Sequence, residues 1–290
     1  MTPAATVIPE TTPWKRSWFY CAPGEIPTFL FIVFLHVAAL LGVIFLPMPP
    51  WPVLVVAFAL LFLGGLGTTV CYHRALSHRS FKLNVVVEQI LIFLAMSNSS
   101  GNPLTWVANH RLHHQVSDTA EDLSSPHFGG FWWAHLRWLW QWPAASIQKH
   151  CKDLDHPRYR FWGRLQVALL AVSCFSGLIL LAFGFDWLTA LAACVWIGPV
   201  RLLWALHVQC SVNSVCHFGP INAEHGSGSN LWWLAPFHLF QGENWHANHH
   251  GKPLDHRLGR RWWQFDLGLV TINTLAAVGL AKSFKSESKS

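Results

Sequence analysis

Four apolar runs, at residues 26–46, 53–72, 165–183 and from 187 to about 211, constrain this chain more than any other feature. The first holds His36 as its one ionisable side chain. Each run approaches the roughly 20 apolar residues that a helix needs to cross about 30 Å of hydrocarbon. Charged residues make up 12% of the chain, about half the share in ordinary soluble domains. The expected fold is therefore an all-α integral membrane protein with four transmembrane helices, residues 1–290 forming a single domain.

The connections give the orientation. The links at 47–52 and 184–186 carry no Lys or Arg, whereas Arg74, Arg79 and Lys82 follow the second run. Positive charge marks the cytosolic side, so the expectation is a multi-pass protein with both termini cytosolic and a cytosolic helical cap built from 73–164 and 212–290. Residues 1–25 read as a short cytosolic tail and not a signal peptide. Residues 85–96 are too short to span and contain Glu88, which favours an interfacial or buried helix. Residues 266–281 look like a closing amphipathic helix. The fourth run is apolar to Val200, then meets Arg201, Gln209 and Asn213. Polar groups at such depth are costly unless they face a protein interior, so that helix is expected to carry Asn213 and His217 into the cap. The net charge of +6 suits anionic lipid headgroups better than nucleic acid, because no basic run interleaves with aromatic residues. The aromatic tract 131–142 reads as interfacial packing. Seven cysteines without a spaced pair imply neither a disulfide framework nor a zinc ribbon.

The chemistry lies in histidine. Two copies of H-x-x-H-H occur, His110/His113/His114 and His246/His249/His250. Positions i, i+3 and i+4 share one helix face, so each copy aims three imidazoles at one point. His73 and His78 form an H-x4-H pair, and five residues turn an α-helix about 140° out of register, so one of the two must sit at a helix end. With Asn213-Ser-Val-Cys-His217 this makes nine clustered histidines, more than the four ligands of a tetrahedral zinc site. Two metals sharing the set satisfy the arithmetic. Burying neighbouring imidazoles without a partner is expensive, which supports the metal reading for the clusters. The isolated residues His36, His127, His135, His150, His156, His225, His238 and His256 read as ordinary core or surface histidines. All nine clustered residues fall on the cytosolic side, unlike a transporter, whose ligands lie near the bilayer midplane.

Taken in order, H-x4-H, H-x-x-H-H, N-S-x-x-H and H-x-x-H-H resemble the membrane fatty acyl desaturases of the stearoyl-CoA and delta-9 acyl-lipid type. Further matching segments are Pro103-Leu-Thr-Trp106, Gly130-Phe-Trp-Trp-Ala-His135, Arg201, His207 and Trp262-Trp-Gln-Phe-Asp266. The resemblance, which runs from about Thr68 to Ala281, implies a mushroom-shaped fold with two Fe2+ ions in the cap. Their ligands would be His73, His78, His110, His113, His114, His217, His246, His249 and His250, with Asn213 acting through a water. It also implies O2-dependent removal of two hydrogens from a saturated acyl chain, leaving a cis double bond at the delta-9 position. The chain would be carried as acyl-CoA or glycerolipid, and electrons would come from a separate ferredoxin or cytochrome b5. Imidazole orientation depends on acceptors behind the ligands, for which Asp118, Asp122, Glu243 and Asp255 are candidates.

The sequence departs from that pattern along the expected substrate tunnel. Gln209-Cys210 stands where close relatives have Thr-Trp, and Ser100 stands six residues before Trp106 where they have Gln. A roomier, re-polarised bend is expected. Residues 123–130 lack the basic residue of CoA-using relatives, which keeps a glycerolipid substrate open. The rival readings are a histidine-rich di-iron lipid or hydrocarbon hydroxylase and a non-catalytic membrane metal-binding protein.

Overall fold

The computed structural model describes residues 12–221 and 228–283. Four helices are long and apolar enough to cross a bilayer: α1 (Ile26–Phe45), α2 (Trp51–Ser77), α5 (Pro157–Phe183) and α6 (Trp187–Ser214). Between α2 and α5 lie α3 (Val85–Ser97), α4 (Pro103–Gln115) and the contiguous helical segments Pro126–Trp132, Trp133–Arg137 and Trp138–Gln141. After α6 come the short α7 (His246–Gly251) and α8 (Leu267–Ala277). One antiparallel pair, β1 (Phe81–Leu83) with β2 (Ala281–Ser283), ties the end of the described chain beside α2. Predominantly helical structure is what the apolar runs predict. The pair β1–β2 is the exception, and it takes the end of the segment expected to be helical through 281. His225 lies outside the described residues.

Two helices outrun their apolar sequence. Pro157 opens α5 eight residues before the apolar run, with the His156 ring accepting the Arg158 N–H as a cap. That polar first turn is held by Tyr159, whose hydroxyl donates to the buried Glu88 of α3 at 2.9 Å. The Glu88 carboxylate thus anchors α3 to α5. In α2 the winding changes: Gly67–Ser77 is a π-helix, in which hydrogen bonds close from residue i to i+5. The His78 N–H donates to the His73 carbonyl at 3.2 Å. A π turn brings residues five apart towards the same face, which answers the register problem of H-x4-H by local winding. His78 is also the cap that ends the helix, as the α-helical arithmetic requires.

Close packing at glycine sets the approach of α2 to α3. A Cβ on Gly67 would lie 2.4 Å from the Leu91 carbonyl oxygen and 2.7 Å from the Ala95 nitrogen. Both are backbone atoms. Next to this contact, the turn 97–101 is bent through Ser99 (φ 63°) and Gly101 (φ 79°). Ser99 is a non-glycine residue in the sparsely allowed left-handed region. Arg201, buried in α6, holds that turn by donating to the Ser97 carbonyl at 3.0 Å and Asn98 Oδ1 at 2.8 Å. Gly67→Ala is expected to lower stability by about 1–3 kcal/mol through overpacking against unyielding backbone, read as a lower unfolding temperature in detergent.

Candidate metal centre

The nine clustered histidines converge into two groups. His73, His78, His110, His114 and His249 form one, and His113, His217, His246 and His250 the other; in each group one ring nitrogen per residue lies within 4.8 Å of all the rest. Both H-x-x-H-H triplets are split between the groups. His110 and His114 of α4 go to the first and His113 to the second, while His249 of α7 goes to the first and His246 and His250 to the second. The helical spacing puts each triplet on one face, and the rings it meets from other elements divide it between the two groups.

The Nε2 atoms meet Nε2 atoms. His78 and His110 approach to 2.7 Å, His73 and His249 to 3.0 Å, and His249 and His114 to 2.9 Å. In the second group His217 and His246 stand 2.7 Å apart, and His246 and His250 3.0 Å. Behind three rings sits a carboxylate at Nδ1: Glu243 on His73 at 2.9 Å, Asp122 on His113 at 2.9 Å and Asp118 on His217 at 3.0 Å. Each carboxylate keeps the ring proton on Nδ1, leaving a lone pair on Nε2. Lone pairs packed against one another repel unless a cation lies between them. Nitrogens about 2.0–2.1 Å from a metal and at right angles around it lie about 3 Å apart, which is the spacing observed. His113 Nε2 is buried with no partner among the described protein atoms. The residues therefore fit a metal at both points, and imidazole suits Fe, Zn, Cu and Ni.

Protonation agrees with ligation. Burial first, and then neighbouring imidazoles, push His78, His110, His114, His246, His249 and His250 well below the usual histidine value. Those rings are neutral, the form that binds metals. Burial also lowers His217, against the pull of Asp118. His113 runs the other way: burial opposes its proton, but Asp122 and Asp118 together raise its pKa. A place made attractive to a proton is equally attractive to a cation. Burial would raise Glu243, yet His73, Arg74 and Thr69 hold it at about 2.

Three of the four carboxylates singled out from the sequence stand behind the rings. Asp255 does not; it pairs with Arg257 at 3.0 Å on the surface. Asn213 is half-buried and lines the same cavity as His113 and His246. None of the described isolated histidines joins either group. His135 bridges Ser214 and His207, both at 2.8 Å, and His238 meets Ser211 at 2.7 Å. Two arginines escaped the sequence reading. Arg74 follows His73 and, fully buried, binds both oxygens of Asp266 at 2.9 and 3.0 Å, the Gln241 carbonyl and Thr69. Arg111 follows His110 and gathers the Leu76, Ser77 and His150 carbonyls and Asp153. The signal was present as H-R in both places, but its meaning depended on distant acceptors.

A cavity of about 730 Å³ leads away from the two groups. Trp106 adjoins the first group: its ring stacks on His110, centroids 5.0 Å apart and 21° from parallel, and it also lines the cavity. Ser100, Gln209 and Cys210 line it as well. Ser100 is bonded to Thr68 at 2.6 Å, and Cys210 packs with Ile32, Leu136 and Trp140.

Asp122→Asn keeps the shape and removes the charge behind His113. Loss of such an acceptor is expected to weaken metal binding about 10–100-fold, checked by titrating metal-stripped protein and by metal content after dialysis.

Comparison with known proteins agrees with this geometry. Residues 49–269 match the sequence profile of the fatty acid desaturases. The chain is 33% identical over 281 residues to Delta-9 acyl-lipid desaturase 1 of Arabidopsis thaliana, covering 96% of this chain and 88% of that one. It is 38% identical over 263 residues to the sn-1 stearoyl-lipid 9-desaturase of Synechocystis, covering 88% and 78%. It is also 34% identical over 288 residues to the icosanoyl-CoA 5-desaturase of Limnanthes douglasii, covering 94% and 74%. These relatives are named as desaturases, which are oxidoreductases, so the reading as a non-catalytic metal-binding protein falls. A histidine-lined, metal-suited centre at the end of a mostly apolar cavity, on four helices able to span a bilayer, is the setting of lipid oxidation: the chain belongs to the fatty acid desaturase family.

Proposed function

We propose that this protein is an O2-dependent di-iron desaturase that places a cis double bond in a saturated acyl chain carried by a membrane glycerolipid. The observation that carries the reading is the opening of one cavity onto both nitrogen groups, with His73, His110, His113 and His246 all on its wall. Two ferrous ions, held by the nine histidines and by Asn213 through a water, would supply the oxidising chemistry that attacks an unactivated C–H bond. Two electrons would come from a separate ferredoxin or cytochrome b5, with the histidine face towards the cytosol.

The protein's own residues do the positioning. Asp118, Asp122 and Glu243 fix the ring tautomers, so that the Nε2 lone pairs point inward before any metal arrives. Arg74 and Arg111 lock the helices that bear His73 and His110. The cavity wall holds the acyl chain by burying its methylenes, each worth about 0.8 kcal/mol, and it directs two adjacent carbons towards Asn213 and the ligand rings. Relatives named for both lipid-bound and CoA-bound substrates match this chain. Residues 123–130, without Lys or Arg, favour the lipid-bound form. The delta-9 position accords with the names of two of these relatives, at 33% and 38% identity, while the relative at 34% is named a 5-desaturase.

Regiochemistry is expected to depend on the stretch of cavity wall that Gln209 and Cys210 line. Cells expressing the wild type are expected to contain a monounsaturated acyl chain that is absent with His113→Ala, seen by gas chromatography and mass spectrometry with double bonds located by derivatisation. A hydroxylated product in its place would move the assignment to oxygen insertion. Cys210→Trp, which fills the wall against Ile32, Leu136 and Trp140, is expected to shift the preferred chain length or the double-bond position in the same assay. Unchanged products would remove Cys210 from specificity.

A further inference from the structure

The cavity wall is not closed on all sides. Val167 and Phe175 of α5 are 79% and 61% exposed, and Phe34 of α1 is 45% exposed, yet all three line the cavity. Their side chains lie within the apolar lengths of two membrane-spanning helices. Deeper along the same pair, Leu35 of α1 and Cys174 of α5 pack together with Leu202 of α6. That contact marks the lower end of the opening, with Phe175 beside it. Between it and the histidine-bearing end, from Thr28 to Leu35 on α1 and from Gln166 to Cys174 on α5, runs a stretch about 10–12 Å tall at the 1.5 Å rise of a helix.

We propose that this stretch is a lateral slot, through which the acyl chain of a bilayer lipid slides sideways into the cavity while its headgroup stays at the interface. The proposal rests on the reading of the cavity as an acyl site. Polarity at the rim points to the headgroup class. Glu25 and Thr28, joined at 2.7 Å, and Gln166 line the cavity at that level. Among the described residues, the lining includes no Lys or Arg. A polyphosphate carrier or an anionic headgroup would meet a carboxylate with no Lys or Arg on the cavity wall, whereas an uncharged or zwitterionic headgroup meets hydrogen-bonding partners. The slot therefore selects lipids without net negative charge.

The test uses the full chain in nanodiscs of phosphatidylcholine containing a trace of phosphatidylcholine with a mid-chain diazirine. A parallel sample receives an acyl-CoA with the same photoreactive chain from solution. Adducts are mapped by mass spectrometry. The lipid probe is expected to label Phe34 or Val167 at the slot and Trp106 inside. Ala171→Trp and Val167→Trp, both at exposed positions on α5, are expected to reduce adducts at Trp106 at least tenfold with no change in unfolding temperature. A phosphatidylglycerol probe is expected to label Trp106 several-fold less than phosphatidylcholine, with Glu25→Gln narrowing the difference. Labelling of Trp106 by acyl-CoA but not by lipid, or full lipid labelling in both tryptophan variants, overturns the slot and leaves the desaturase assignment standing. Equal labelling by the two lipids overturns the headgroup selection. Absence of Trp106 adducts from either carrier overturns the acyl site itself.

Discussion

The cap is organised by an arrangement that is unfavourable without a cation: nine imidazole nitrogens brought together at two points inside a buried space. Burial strips their solvation, and Nε2 atoms at 2.7–3.0 Å set lone pair against lone pair. What maintains this geometry is placed behind and between the rings. Carboxylates at Nδ1 give His73, His113 and His217 a fixed tautomer and orientation. The buried Arg74 and the half-buried Arg111 then immobilise the backbones that carry the rings. Breaking a buried ion pair such as Arg74 with Asp266 leaves an uncompensated charge and costs about 3–5 kcal/mol, so the centre and the cap share one set of supports.

The same economy joins the centre to the membrane helices. Residues 67–77 wind as a π-helix at the end of α2, a local change that both reorients His73 towards His78 and puts Thr69 against Glu243. Arg201 in α6, an awkward charge in a membrane span by sequence alone, is satisfied by the Ile197 and Ser97 carbonyls and by Asn98. It thereby shapes the turn that carries Ser100 into the cavity wall. Polar groups at membrane depth are tolerated where they hold non-helical backbone inside the protein. Each of these devices serves the cavity as well as the fold.

The cavity divides its work by polarity. Near the histidines the wall is polar, with Asn213, Glu243 and Trp106 beside the ligands. Along α1 and α5 it becomes apolar, with Phe31, Phe34, Leu35, Val167 and Leu170 on the wall. An acyl chain held there, as proposed above, would gain burial along its length, with Gln209 and Cys210 on the wall beside it. Relatives named for different bond positions and carriers match this chain at 33–34% identity over most of its length, so differences in substrate are expected in wall residues and not in the ligand set.

Much was already determined by the sequence. Apolar length forces helices, since backbone in hydrocarbon has no other way to pair its polar groups, and the i, i+3, i+4 spacing of His110/His113/His114 and His246/His249/His250 forces each triplet onto one face. The arithmetic of nine histidines called for two sites, and four carboxylates, Asp118, Asp122, Glu243 and Asp255, were nameable as candidate acceptors, of which the first three stand behind rings. Tertiary structure decided how the triplets divide between two points, because a helix face does not specify which neighbour each ring meets. It also decided that Asp255 serves Arg257 instead of a ligand, that α2 changes winding before His73, and that Arg74 and Arg111 are locks. Asp255 turns to Arg257 only two positions on, but Arg74 reaches Asp266 192 positions away and Arg111 reaches Ser77 34 positions away, and a spacing pattern carries no information about contacts made only when the chain closes on itself.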